Sequence, residues 1–77
     1  MELLWITKAK YLDDYKIYLL FNNGKEKTVD LKNHLYGEIF EPLKNIDIFK
    51  NFVLSDWTIE WKNGADFAPE FLYEIGN

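Results

Sequence analysis

The stretch Lys16-Ile17-Tyr18-Leu19-Leu20-Phe21-Asn22-Asn23-Gly24-Lys25-Glu26-Lys27-Thr28-Val29-Asp30-Leu31 decides the fold class. Side chains on a strand alternate between faces. Ile17, Leu19 and Phe21 therefore share one face, and Tyr18 and Leu20 share the other. Apolar on both sides, Lys16 to Phe21 reads as a central strand, covered at least partly on each face. Asn-Gly tolerates positive φ at both positions of a tight turn, so Asn22-Asn23-Gly24 predicts a hairpin. Lys25 to Leu31 is the return strand, with Val29 and Leu31 inward and Lys25 and Lys27 alongside them towards the sheet margin.

Upstream, Trp5 to Tyr11 reads as another strand, with Leu4 and Ile6 on one face and Trp5, Thr7, Ala9 and Tyr11 on the other. Leu12-Asp13-Asp14 is its turn, because Asp bonds to its own backbone and breaks strands. Downstream, Leu35, Ile39, Phe40, Leu43, Ile46, Phe49 and Phe52 fall at helical rather than alternating spacing. Pro42 interrupts that pattern. It predicts a short helical turn near Leu35–Phe40 and a second near Ile46–Asn51, capped by Asn45 or Asp47. Trp57, Ile59 and Trp61 alternate with Thr58, Glu60 and Lys62 as a strand with one buried and one wet face. Lys62-Asn63-Gly64 is a second hairpin turn, Ala65 to Phe67 a short return strand, and Pro69 the first position of a closing helix that Gly76 ends. The reading is a single domain over 1–77 of the α+β class. Its small antiparallel sheet is a meander of about three N-terminal strands plus a C-terminal hairpin, with short helices in the middle and at the C-terminus.

Composition narrows the function. The chain has 77 residues and a net charge of −4; its aromatic residues are 3 Trp, 5 Tyr and 6 Phe, and it has no Cys. A zinc site built on thiolates and a disulfide framework are impossible. No apolar run approaches the roughly 20 residues of a membrane span, and no signal-peptide pattern opens the sequence. A cytoplasmic chain stabilised chiefly by buried rings is expected. All nine basic residues are Lys. Without Arg to read base edges, direct nucleic-acid binding is disfavoured. Lys25, Lys27 and Lys32 read instead as charges that protect a sheet edge.

The stretch Trp61-Lys62-Asn63-Gly64-Ala65-Asp66-Phe67-Ala68-Pro69-Glu70-Phe71-Leu72-Tyr73 resembles the W-x-N-G-A-D-x-A-P-E-x-L-Y signature of a small bacterial domain-of-unknown-function family, the 2442 family. Asp13-Asp14-Tyr15, Phe21, Gly24, Asp30-Leu31 and Phe40-Glu41-Pro42-Leu43 match the rest of its pattern. The resemblance implies a small α+β fold with an antiparallel sheet. It also implies relatives fused to a helix-turn-helix domain, and relatives encoded beside a second small protein in a toxin–antitoxin-like arrangement. No enzymatic activity attaches to the family, so the resemblance supplies no catalytic residue.

The residues themselves offer few chemical sets. His34 and Ser55 are the single His and the single Ser. They form a triad with Asp56 or Asp30 only on paper, since neither sits in a nucleophile-type turn. Asp13, Asp14, Asp56 and Asp66 are oxygen donors without the spacing of a calcium loop, so no metal and no cofactor are expected. Asn23, Gly24, Asn63, Gly64 and Pro69 serve turns and the helix start. Asp66 is expected to cap the last helix. Trp57 and Trp61, with Tyr11 and Tyr15, are the candidate aromatic binding surface, set against the plainer reading of an aromatic core. Together these features predict a non-enzymatic protein-binding module, the antitoxin-like or accessory subunit of a two-gene system. Its partner is another small protein, a basic one by charge complementarity, and self-association into a homo-oligomer is a further expectation. The alternative is a regulator that reaches nucleic acid through a separate helix-turn-helix partner.

Overall fold

The computed structural model describes residues 3–77. Three antiparallel strands follow in chain order, β1 (Ile6–Asp13), β2 (Lys16–Phe21) and β3 (Glu26–Asp30), with β2 in the middle. A second sheet pairs β4 (Val53–Leu54) with β5 (Ile59–Glu60). Between the sheets lie two 3-10 helices, Lys32–His34 and Glu38–Lys44, and the short helix α1 (Ile46–Phe49). Helix α2 (Pro69–Ile75) closes the chain. This is the expected α+β architecture.

Strand β2 occupies the residues its alternation predicts. Ile17, Leu19 and Phe21 enter one core with Leu43, Phe49, Ile59, Trp61, Phe67 and Leu72. Both helices and the second sheet thus feed the Ile17 side. Tyr18 and Leu20 are half-buried and stand outside that core. Cover on the two faces of β2 is therefore unequal, complete over Ile17, Leu19 and Phe21 and partial over Tyr18 and Leu20.

The faces of β1 also need correction. Ile6 lies opposite Phe21 and Lys8 opposite Leu20, which leaves Thr7 as the extra residue of a bulge. One inserted residue inverts the pleat. Ala9, opposite Leu19, and Tyr11, opposite Ile17, therefore join Ile6 on the core side, where uninterrupted alternation separates them. The first turn starts two residues late. Strand β1 runs on to Asp13, and Asp14 takes a left-handed φ of 48°, which a short polar side chain accommodates better than most.

The two Asn-Gly turns share one geometry. Phe21 N–H donates to Lys25 O at 2.9 Å and Gly24 N–H to Phe21 O at 3.0 Å; Trp61 N–H donates to Ala65 O at 2.9 Å and Gly64 N–H to Trp61 O at 2.9 Å. Only the glycines, Gly24 at φ 86° and Gly64 at φ 90°, take positive φ in these turns. Each is thus a three-residue loop ending in a left-handed glycine, not the two-residue turn that needs positive φ at both positions. The asparagine before each glycine accepts from the backbone: Lys25 N–H reaches Asn23 Oδ1 at 3.0 Å, and Ala65 N–H reaches Asn63 Oδ1 at 3.1 Å.

The middle segment departs most from its expected helices. Leu35 is buried but non-helical, and Pro42 lies inside the 3-10 helix Glu38–Lys44 rather than breaking it. In a 3-10 helix, proline's missing N–H leaves the carbonyl three residues back without a partner. That carbonyl is Ile39 O, and Asn63 Nδ2 donates to it at 2.7 Å. The second Asn-Gly turn thus repairs the bond that Pro42 removes. Asn45 caps α1 as expected, accepting from Asp47 N–H at 2.9 Å.

The C-terminal third holds three further corrections. Strand β4 had no sequence signal: it is two residues long and both are exposed. The return strand at Ala65–Phe67 shrinks to a single bridge, Glu60 to Asp66, across the Asn63-Gly64 turn. Asp66 does not cap α2. Its N-cap is Ala68, with no side-chain bond, and Pro69 at the first turn removes one of the donors a cap would serve. Gly76 ends α2 with a negative φ of −73°. A Cβ on Gly76 would sit 2.8 Å from Lys27 Cβ, so its small size lets the chain approach β3. There Asn77 N–H donates to Thr28 O at 3.0 Å and Thr28 N–H to Asn77 O at 3.2 Å, covering the β3 edge.

Candidate functional site

The four aromatic candidates separate. Trp61 is 3% exposed, and its Nε1–H donates to Phe49 O at 2.7 Å. Its ring lies 5.7 Å from Phe49, which also takes the edges of Tyr15 at 5.1 Å and Tyr11 at 6.3 Å. Tyr11 donates to Asp14 O, and Tyr15 to Lys44 O. Phe49 is therefore the hub of a structural cluster holding Tyr11, Tyr15 and Trp61 against the sheet. Its helical spacing marked it as apolar but gave no hint of this centrality.

Trp57 goes elsewhere. Unbroken alternation puts Trp57 and Trp61 on one face, yet Trp57 is 53% exposed while Thr58 is buried. The exchange comes from two hydroxyls. Thr58 Oγ1–H donates to Phe67 O at 2.7 Å. Ser55 Oγ–H donates to Thr58 O at 2.7 Å and accepts from Thr58 N–H at 3.1 Å, folding residues 55–58 into a turn before β5 begins. Satisfying the Thr58 hydroxyl inside turns Trp57 out.

Trp57 meets Trp5 edge to face, with ring centroids 6.2 Å apart, and Leu3 lies exposed alongside Trp5 on a shallow depression shared with Asn22 and Asn23. The backbones beneath these side chains are fixed. Asn22 Oδ1 accepts from Trp5 N–H at 3.0 Å, Asn22 Nδ2 donates to Leu3 O at 2.9 Å, and Asn22 N–H donates to Trp5 O at 2.9 Å. Ile6 N–H donates to Trp57 O at 2.8 Å. The result is an exposed apolar patch held on an ordered frame, which lowers the entropy lost when a partner covers it. Trp57 was among the sequence candidates. Leu3 was not, since only its neighbours in space reveal it.

The remaining candidates lie apart. His34 stands edge-on to Phe71 at 5.3 Å, and among the described residues no hydrogen bond joins it to Ser55, Asp56 or Asp30. Asp13, Asp14, Asp56 and Asp66 are all exposed. No group of three or more His, Asp or Glu side chains converges among the described residues. Lys27 Nζ stands over the Tyr73 ring, 4.2 Å from its centroid. An open groove of about 720 Å³ is lined by Pro42, Ile48, Phe52, Val53 and Trp61 together with Lys50, Asn51, Lys62 and Asn63. Its two amides are already engaged, Asn51 on Asp47 O and Asn63 on Ile39 O. Tyr18 O–H donates to Glu26 Oε1 at 2.8 Å on the outer face of the sheet, and that bond raises the phenol pKa above its ordinary value. No helix among the described residues is long and apolar enough to cross a membrane.

The chain belongs to a family of proteins of unknown function (DUF2442), which it matches over residues 6–77. No curated protein and no solved structure matches it.

Proposed function

We propose that this chain is a non-enzymatic, cytoplasmic protein-binding module that docks another small protein through Leu3, Trp5 and Trp57. The observation that carries the reading is the exposure of Trp57, at 53%, beside Trp5 in a chain that buries Trp61 almost completely. Exposed tryptophan on an ordered frame is the side chain most enriched where binding energy concentrates. A net charge of −4 favours a basic partner. The antitoxin-like form of this reading takes that partner from the adjacent gene.

Co-expression with the product of the adjacent gene, followed by size exclusion with light scattering, tests it. A one-to-one complex is expected, lost in Trp57→Ala and in Trp5→Ala while the circular dichroism of each variant stays native. Complex formation indifferent to both substitutions overturns the assignment of the patch, and absence of any complex overturns the function. A gel shift with and without the partner separates this reading from that of a regulator working through a helix-turn-helix subunit.

A further inference from the structure

Of the chain's asparagines, Asn23 and Asn63 alone precede glycine. With no Cβ beside it, a glycine nitrogen can swing close to the side chain before it, which makes this pair the one most open to loss of the asparagine amide. The two turns are alike in backbone. Gly24 N–H donates to Phe21 O at 3.0 Å and Gly64 N–H to Trp61 O at 2.9 Å. Each asparagine Oδ1 accepts from the N–H two residues on, at 3.0 Å for Asn23 and 3.1 Å for Asn63. Both asparagines and both glycines are exposed. The turns differ in what holds the side-chain nitrogen. Asn63 Nδ2 donates to Ile39 O at 2.7 Å, the carbonyl that Pro42 leaves without a partner. Asn23 Nδ2 reaches only the Tyr73 hydroxyl, at 3.3 Å, beyond the usual span of an N–H···O bond.

We propose that Asn23 is a site of spontaneous deamidation in the folded chain, and that Asn63 is protected from the same reaction. The Gly24 nitrogen attacks Asn23 Cγ and gives up its proton to water. A cyclic imide closes as the Cγ–Nδ2 bond breaks, and the side-chain nitrogen leaves as ammonia with a proton taken from water. Water then opens the imide at either carbonyl, to aspartate or to isoaspartate. One water is consumed and one ammonia released, with no oxidant or reductant. The attack needs Cγ turned towards the glycine nitrogen. At Asn23 that rotation gives up a long contact with Tyr73. At Asn63 it breaks a short bond and strands Ile39 O, because Pro42 has no N–H to offer. The consequence falls on the exposed patch. Asn23 shares its depression with Leu3, Trp5 and Asn22, so either product adds a carboxylate there. Isoaspartate also inserts a methylene into the backbone next to Asn22, whose side chain holds both Trp5 and Leu3. Resting on the reading of that patch as a docking site, the conversion loosens its frame as the chain ages.

Peptide mapping by mass spectrometry during incubation of the intact chain at mildly alkaline pH, with and without urea, tests it. In urea both tethers are gone, and the two Asn-Gly pairs convert at similar rates. In the folded chain Asn23 converts faster than Asn63 by about fivefold, within the range that one such hydrogen bond sets. Pro42→Ala returns an N–H to Ile39 O, frees the Asn63 amide and speeds conversion at residue 63 alone. Tyr73→Phe keeps the ring on Phe21 and speeds conversion at residue 23 alone. The converted chain, separated by its added negative charge on anion exchange, exchanges the Trp5 amide hydrogen faster than its parent, since Asn22 Oδ1 no longer holds it firmly. Equal rates at the two sites of the folded chain overturn the proposal. So does a folded chain whose Asn23 survives many half-lives of the urea-treated one, or a Pro42→Ala chain whose two sites speed up together. None of these readouts involves a partner, so failure of the patch as a docking site is read separately.

Discussion

Replacing Asn63 by Ala removes both ends of one amide. Oδ1 no longer accepts from Ala65 N–H at 3.1 Å, and Nδ2 no longer donates to Ile39 O at 2.7 Å. A neutral hydrogen bond contributes about 0.5–1.5 kcal/mol net, and a buried donor left unpaired costs more. Ala65 is 1% exposed while Ile39 is 45% exposed, so water replaces the second bond more readily than the first. The expected loss is about 2 kcal/mol, or a fall in Tm of about 10 °C for a domain of this size. Backbone strain adds nothing, because Asn63 does not take positive φ. The decisive assay is a double-mutant cycle with Pro42→Ala, read as midpoints of urea unfolding at constant slope. Pro42→Ala returns an N–H that can satisfy Ile39 O within the 3-10 helix. In that background Asn63→Ala costs less, by about 0.5–1.5 kcal/mol. Effects that add to within about 0.3 kcal/mol refute the claim that Asn63 repairs the bond Pro42 removes.

Gly76→Ala puts a methyl 2.8 Å from Lys27 Cβ; it lifts Asn77 off β3, and the Thr28 amide is expected to exchange its hydrogen faster while the β2 amides are unchanged. Asp66→Ala costs under about 0.5 kcal/mol in a denaturant titration, as for a surface residue with no special role, since α2 takes no side-chain cap. Tyr18 titrates above the ordinary 10.0, because the hydrogen bond to Glu26 holds its proton. Having a folded-state pKa above the unfolded one, it contributes stability that is complete below the unfolded pKa and vanishes as pH rises through the folded value. Phenolate absorbance should therefore show one late tyrosine that Glu26→Gln brings back towards the ordinary range.

Local rules carried the sequence reading as far as residues acted on their neighbours. Strand β2, the glycine of each turn, Asn45 as a cap and Pro69 as a helix start all follow from such rules. What escaped was set at a distance. The Thr7 bulge depends on how β1 fits β2, and one residue there moves Ala9 and Tyr11 across the sheet. Strand β4 exists because β5 is there to pair with it. The same limit governed the candidate site. Alternation held for Ile59 and Trp61 but not for Trp57, because the Thr58 hydroxyl finds Phe67 O, nine residues on. Four aromatic residues named as one surface thus became three around Phe49 and one turned outward.

The three indoles occupy unlike surroundings: Trp61 is 3% exposed, Trp5 37% and Trp57 53%. Intrinsic fluorescence therefore carries two separable signals. Emission from Trp61 reports whether the interior is intact, whereas quenching by dissolved iodide reaches only the outer pair. Removing Trp5 and Trp57 together leaves Trp61 as the one source of glow, which then follows unfolding alone, and the parent, compared at the same wavelength, reports when something settles over the exposed end.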